Sequence, residues 1–211
     1  LPEKIDPLSP ENLVIFATGP FQGPAVPGGA KFSVVGISPQ TGTYADTAAG
    51  AKWGPAIKDA GFDVVILEGK SPKPVYVQII DDDVQIKDAS AIWGKDTIES
   101  IDAIREEAGD SKLSVSTIGP AGERLVAIAC IAVDKHSFAG RCGLGAVMGS
   151  KNVKAVAVRG TKKVPVAHPE KLKELIKKSQ KQIHDASVEN EVRIHGTPGL
   201  CETAEGLGDM P

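Results

Sequence analysis

"GAVMGSKNVKAVAVRGTKKVPV" (Gly145–Val166) decides the fold, because an earlier stretch, "GPAIKDAGFDVVILEGKSPKPV" (Gly54–Val75), follows the same plan. Each has a glycine-led helical turn, a small-residue corner, a strand, a Gly, a basic residue and a Pro–Val exit. Upstream, "ATGPFQG" (Ala17–Gly23) pairs with "TIGPAGE" (Thr117–Glu123). Two similar halves can bury their hydrophobic faces against each other around a pseudo-two-fold axis. The expected fold is α+β: a duplicated β-sheet platform with a few helices.

The rest of the chain fits around these segments. "NLVIFAT" (Asn12–Thr18), "KFSVVGI" (Lys31–Ile37), "DVVILEG" (Asp63–Gly69) and "PVYVQII" (Pro74–Ile80) are short, β-branched and bounded by Gly or Pro, as strands are. "DVQIKD" follows the acidic turn "DDD" and completes a hairpin with Pro74–Ile80. In "KDTIESIDAIREEAG" (Lys95–Gly109), Ile98, Ile101 and Ile104 share one helical face and Gly109 is the stop. "LSVSTIG", "RLVAIACIAV" and "VKAVAVRG" read as three further strands, and "TAAGAKWG" (Thr47–Gly54) as the opening of a helix. The composition changes near Thr161–Pro165. Residues 1–165 then form the duplicated base, and 166–211 a charged helical arm with Pro169 in its first turn.

Composition excludes several classes. A formal charge of −3 gives no basic excess to displace counterions from a nucleic acid, and 4% aromatics cannot build a base-stacking platform. No apolar run approaches the roughly 20 residues that cross a bilayer. "LPEKIDPLSPEN" has neither the basic end nor the apolar core of a signal peptide, and it reads like the middle of a longer chain. Cys130, Cys142 and Cys201 are far apart and odd in number, which argues against a zinc or iron–sulfur site made from this chain alone. The lack of a disulfide framework points to a reducing, cytoplasmic compartment. His136, His168, His184 and His195 show no metal-binding spacing.

"RCGLGAVMGSK" (Arg141–Lys151) holds three glycines between two cations. It is neither GxGxxG nor a Walker loop, since Ser150 separates the last Gly from Lys151. A helix packed close to a sheet wants small residues at these positions. A phosphate wants the same thing, because backbone N–H groups at a helix start and a guanidinium fork suit a dianion. "PGGAKF" (Pro27–Phe32) puts Lys31 behind two glycines in the first half. Two cradles, one per half, would suit a ligand with two phosphates, and both readings stay open on spacing. Asp134 and His136 are the nearest titratable groups, and a solvated loop pair is the simpler account of them. No catalytic acid or base stands out.

"DPLSPENLVIFATGPFQG", "KFSVVGISPQTG", "GFDVVILEGKSPKPVYVQI", "IKDASAIWGKDT", "IGPAGERLV" and "AGRCGLGAVMGSKNVKAVAVRG" together resemble the amino-terminal domain of the aldehyde ferredoxin oxidoreductase family, from about Asp6 to Arg159 in one register. The resemblance implies a tungsten, sometimes molybdenum, enzyme of anaerobic metabolism with two pterin dithiolenes (a bis-molybdopterin), a bridging Mg²⁺ and a nearby [4Fe–4S] cluster. Such enzymes oxidise aldehydes to carboxylic acids, pass electrons to ferredoxin and can form homodimers. It also implies that a glycine-rich beginning, and later helical domains carrying the cluster cysteines, lie outside these 211 residues.

By the same resemblance, Gly50, Gly140 and Arg141 fall on pterin-contacting positions. Lys31 stands where an arginine usually binds a pterin phosphate, keeping the charge but not the bidentate fork. Ser137 replaces another arginine, and Cys142 a glycine. Ala48 replaces an asparagine and Phe138 an alanine at positions whose main-chain carbonyls ligate the Mg²⁺. A tungsten subunit of an aromatic acyl-CoA reductase complex shares this domain and is the alternative within the family. A non-enzymatic duplicated scaffold, its cradles only packing corners, is the alternative outside it.

Overall fold

The computed structural model describes residues 4–187 and 191–208. The chain forms two compact units, Leu1–Pro165 and Val166–Pro211.

The first unit holds two sheets built by one chain path used twice. In the first half, β1 (Val14–Ala17), β2 (Phe32–Ile37) and β3 (Tyr44–Ala49) are followed by α1 (Trp53–Ala60) and β4 (Val64–Leu67). Their sheet is antiparallel, in the order β3-β2-β1-β4. A hairpin, β5 (Val75–Ile80) with β6 (Asp83–Asp88), and the helix α2 (Thr97–Ala108) come next. The second half then runs β7 (Ser114–Thr117), the one-turn α3 (Pro120–Glu123), β8 (Ile131–Val133), β9 (Ser137–Ala139), α4 (Leu144–Ser150) and β10 (Val153–Arg159). Its sheet is ordered β6-β5-β10-β7-β8-β9, and the run β9-β8-β7-β10 repeats β3-β2-β1-β4. Among the described residues, only β5 and β10 pair in parallel.

Register confirms the duplication. Val64 faces Ala17 and Val65 faces Phe16, while Ala155 faces Thr117 and Val156 faces Ser116. These are the partners that the sequence alignment of the two halves assigns to each other. The contacts between halves are reciprocal, as a pseudo-two-fold requires. Helix α1 packs on β7, α4 packs on β1, and the equivalent edge strands β3 and β9 meet.

The shared core lies between the inner faces of the sheets. Phe16, Phe32 and Trp53 stack there, and Trp53 Nε1 donates to the Val156 carbonyl of the other half at 3.0 Å. A second cluster fills the outer face of the longer sheet: Leu113, Val115, Ala155 and Ala157 lie beneath Ile101 and Ile104 of α2. Helix α2 forms because Asp96 and Glu99 close a reciprocal capping box and Gly109 ends it in the left-handed region.

Two expectations on local structure are corrected. "TAAGAKWG" does not open a helix at Thr47. Ala45, Thr47 and Ala49 alternate inward as β3, and α1 starts at Trp53. Pairing with β2 and contact with β9 outweigh the low β-propensity of alanine. "RLVAIACIAV" is extended only over Ile131–Val133, since the preceding carbonyls serve α4: Gly145 N–H donates to Ala129 O at 3.0 Å. Ser137–Ala139 is the edge strand β9, paired with β8.

The second unit contains α5 (Pro169–Ser187), α6 (Glu191–His195), a 3₁₀ turn (Thr197–Leu200) and α7 (Cys201–Gly206). Leu175 and Ile183 of α5 are exposed, and the helix buries none of its residues.

Candidate functional site

The two sheets are joined where β3 meets β9, and here the duplication brings equivalent residues side by side. Through the ladders to β2 and β8, Ala48 corresponds to Phe138, Ala49 to Ala139, and Thr47 to Ser137. Each edge strand clasps the other with a hydroxyl. Ser137 Oγ accepts from the Gly50 N–H at 3.0 Å, and Thr47 Oγ1 accepts from the Arg141 N–H at 3.4 Å. Beyond the strands the first half turns through left-handed Ala51 (φ 68°), and the second through Cys142 (φ 63°) and Gly143 (φ 68°), before their helices begin. The second half carries one extra residue in this turn, so Gly140 and Arg141 occupy the place that Gly50 fills alone. The seam's arginine sits in that insertion.

Asp134 fixes the seam from behind. The sequence reading made it a solvated loop residue, but it is only 6% exposed. Its Oδ1 accepts from Arg105 Nη2 at 2.9 Å and from Val115 N–H at 3.1 Å. Its Oδ2 accepts from Ser114 Oγ at 2.6 Å and from Lys52 N–H at 3.3 Å. One carboxylate thus ties the β8–β9 turn to α2, β7 and the start of α1 in the other half. His136 is solvent-exposed, as expected.

The glycines divide into two kinds. In α4 they are packing corners: an added Cβ would lie 1.8 Å from Ala127 O at Gly143, 2.4 Å from Cys130 O at Gly145 and 2.0 Å from Gly122 O at Gly149. The helix is buried throughout, which favours packing over a phosphate among the two readings that the spacing leaves open. Lys151 is equally internal, donating to Pro10 O and Gly69 O at 3.0 Å each, so it is not the second arm of a phosphate clamp. Burial pushes the Lys151 ammonium below its ordinary pKa, against the opposing attraction of Glu68 and Glu11.

Gly50 and Gly140 are different. Neither has a positive φ, and an added Cβ would meet only Ser137 Oγ at 3.6 Å or Phe138 Cβ at 3.8 Å, ordinary contacts. Nothing inside the protein requires glycine at these strand ends, whereas a flat group laid against the backbone from outside would. Exposed Ala48 and Phe138 flank them. Lys31 lies beside Gly50, because the next pair inward is Phe32 with Ala49. Lys31 and Arg141 are both exposed, and neither side chain forms an ion pair among the described residues. The seam therefore offers bare backbone and two uncompensated cations, a donor set that fits a flat anionic cofactor.

This arrangement has counterparts. Residues 1–160 match the family model described as the aldehyde ferredoxin oxidoreductase N-terminal domain. The chain belongs to that family. It is 47% identical over 209 residues to the tungsten-containing aldehyde ferredoxin oxidoreductase of Pyrococcus abyssi, covering 99% of this chain and 34% of that one. Against the Thermococcus kodakarensis enzyme of the same name, identity is 50% over 168 residues, covering 80% of this chain and 28% of that one. A solved structure, the active-site complex BamBC of benzoyl coenzyme A reductase with 1,5-dienoyl-CoA, superposes with a TM-score of 0.86. That match has 43% identity and covers 90% of this chain and 29% of the other. The chain thus spans about a third of the length of these family relatives.

Six predicted contact residues, Lys31, Ala48, Gly50, Phe138, Gly140 and Arg141, line this one seam, and Ser137 stands within it as a clasp. The Thr47 hydroxyl and the Asp134 carboxylate were missed as site builders. Aligning "TAAG" (Thr47–Gly50) with "SFAG" (Ser137–Gly140) would have exposed Thr47. Nothing local marks Asp134. No group of three or more His, Cys, Asp or Glu among the described residues could hold a metal, and no helix among them is long and apolar enough to cross a membrane.

Proposed function

We propose that this chain is the cofactor-binding base of a tungsten or molybdenum bis-pterin oxidoreductase that oxidises aldehydes to carboxylic acids, with ferredoxin as electron acceptor. The observation that carries the reading is the seam, where the equivalent glycines 50 and 140 leave backbone open between unpaired Lys31 and Arg141. Lys31 and Arg141 would neutralise the two phosphates of the pterins, Arg141 through its planar fork and Lys31 as a point charge. Gly50 and Gly140 would let the pterin rings approach the main chain. Ala48 and Phe138, equivalent residues on the two edges, would offer carbonyls to a bridging Mg²⁺. When bound, the metal and its dithiolenes supply the redox chemistry, and this domain orients them and tunes their charge. The [4Fe–4S] cluster, the ferredoxin contact and any homodimer interface would belong to the rest of a cytoplasmic enzyme.

The test is Arg141→Ala in the full-length protein. Tungsten and pterin content, measured by elemental and fluorescence analysis, should fall at least about tenfold while the melting temperature stays within a few degrees, as an exposed side chain allows. Full metal content in the variant would refute the assignment. A second reading, the tungsten subunit of an aromatic acyl-CoA reductase, draws on the likeness to the benzoyl coenzyme A reductase complex. Co-purification with further iron–sulfur or flavin subunits, and no aldehyde oxidation, would favour it.

A further inference from the structure

The two arms of the seam share a backbone plan but not a chemistry. By the ladder step that places Lys31 beside Gly50, Cys130 lies beside Gly140, since Ile131 pairs with Ala139. The first-half arm thus carries an ammonium at Lys31 and a methyl at Ala48. The second-half arm carries a thiol at Cys130, a phenyl at Phe138 and, in its one-residue insertion, the guanidinium of Arg141. The rims differ in the same sense. Nearest the open side of Gly50 is the Ser137 hydroxyl, 3.6 Å from an added Cβ, and nearest that of Gly140 is Phe138 Cβ, at 3.8 Å.

Phe138 is out of place as a structural residue. It is 51% exposed, lies on an edge strand and belongs to neither core cluster. Among the described residues its ring meets no other ring and no cation. The strand itself does not need it, because alanine serves at the equivalent outward position, 48. Residues two apart share one side of a strand, so the ring stands on the side where Gly140 leaves the main chain open. A phenyl and a guanidinium both stack on planar groups, and a methyl does not. The second-half arm is therefore suited to grip a flat face, and the first-half arm to neutralise charge.

We propose that the Phe138 side chain is a binding group in its own right, a hydrophobic cover for the flat cofactor unit on the Gly140 arm. The Gly50 arm, with only the Ala48 methyl at the equivalent place, holds its unit through Lys31 and the main chain. The two halves of the site therefore grip by different forces, ring contact on one side and charge on the other. This division rests on the cofactor reading above and goes beyond it, since that reading uses Phe138 only for its carbonyl. It also gives the exposed ring a reason: the apolar face that the protein leaves in water is the face that the ligand dries.

Fluorine NMR of the full-length protein with para-fluorophenylalanine at position 138 reports the cover directly. Between protein from cells without and with pterin synthesis, the signal should move and lose its response to heavy water. An unchanged signal would overturn the proposal. So would a ring already shielded in the cofactor-free protein, because another part of the protein then covers it. Retention is the second measurement. In dilute guanidinium chloride, Phe138→Ala should release pterin and tungsten about tenfold faster than the parent, within the range for an aromatic platform under a flat ring. Phe138→Tyr should release them at the parental rate, and Ala48→Gly, the truncation on the other arm, should too. The cofactor-free Phe138→Ala protein should melt within a few degrees of the parent, as a half-exposed side chain allows. Parental release from Phe138→Ala in a loaded enzyme would sink this inference alone. A full-length protein that never contains pterin would sink the cofactor reading and this inference with it.

Discussion

The first and second halves of the base follow one path yet are closed by different means. Where the halves meet, the sequence repeats itself: a hydroxyl at Thr47 and Ser137, a glycine at positions 50 and 140, and another at 54 and 145. Away from the meeting line the halves diverge. The second half buries a Lys154–Glu123 ion pair, with exposures of 0% and 5%, and Lys154 also donates to the Lys95 carbonyl just before α2. Asp63, which takes the place of Lys154 in the first half, is an exposed partner of Lys58. Symmetry is thus kept where two surfaces must fit each other and lost where each faces its own surroundings.

Breaking the closure of the second half should have the largest effect. Lys154→Met leaves Glu123 buried without its partner and is expected to cost about 3–5 kcal/mol in denaturant unfolding. The double variant with Glu123→Met should recover most of that loss. If the single variant is as stable as the parent, the ion pair does not hold the second half shut.

Lys151 tests how the halves are tied, because it reaches from the end of α4 to Pro10 and Gly69 at either end of the first half. Lys151→Met should cost about 1.5–3 kcal/mol, the range for hydrogen bonds from a charged group. A pH signature accompanies it. Burial lowers the pKa of Lys151 from 10.5, so between that lowered value and 10.5 the unfolded chain binds more protons than the native one. Stability therefore gains a rising contribution with pH across that window, and the variant should lack it. Equal slopes in the two proteins would remove burial as the dominant influence on this amine.

The smallest effects sharpen the comparison position by position. Gly145→Ala drives a Cβ against the Cys130 carbonyl and should cost about 1–3 kcal/mol. Gly54→Ala, at the equivalent site, meets the tip of the Gln22 side chain and should cost less than about 1 kcal/mol. Thermal unfolding of the two variants checks this, and equal losses would show that the halves are packed alike after all.

The duplication was legible because it leaves two traces in one chain: aligned strand exits and aligned glycines. Strands with β-branched runs, such as Val64–Leu67 and Val75–Ile80, were legible for the same local reason. Strand β3 was not, because "YADTAA" has little strand character and owes its form to neighbours on both sides. The two classes of glycine look identical in "GLGAVMG" and "AAGAKWG". Only the distance to the nearest carbonyl separates a packing corner from an open strand end.

By itself the sequence determined the paired halves, the family and the residues gathered on one seam, because alternation, glycine placement and block order are written along the chain. Tertiary structure alone decided that Lys151 is a buried tie and that Asp134 is a four-donor anchor. Those outcomes depend on which distant atoms arrive beside a charge. Desolvation and hydrogen-bond satisfaction are properties of that arrival, and no local pattern encodes them.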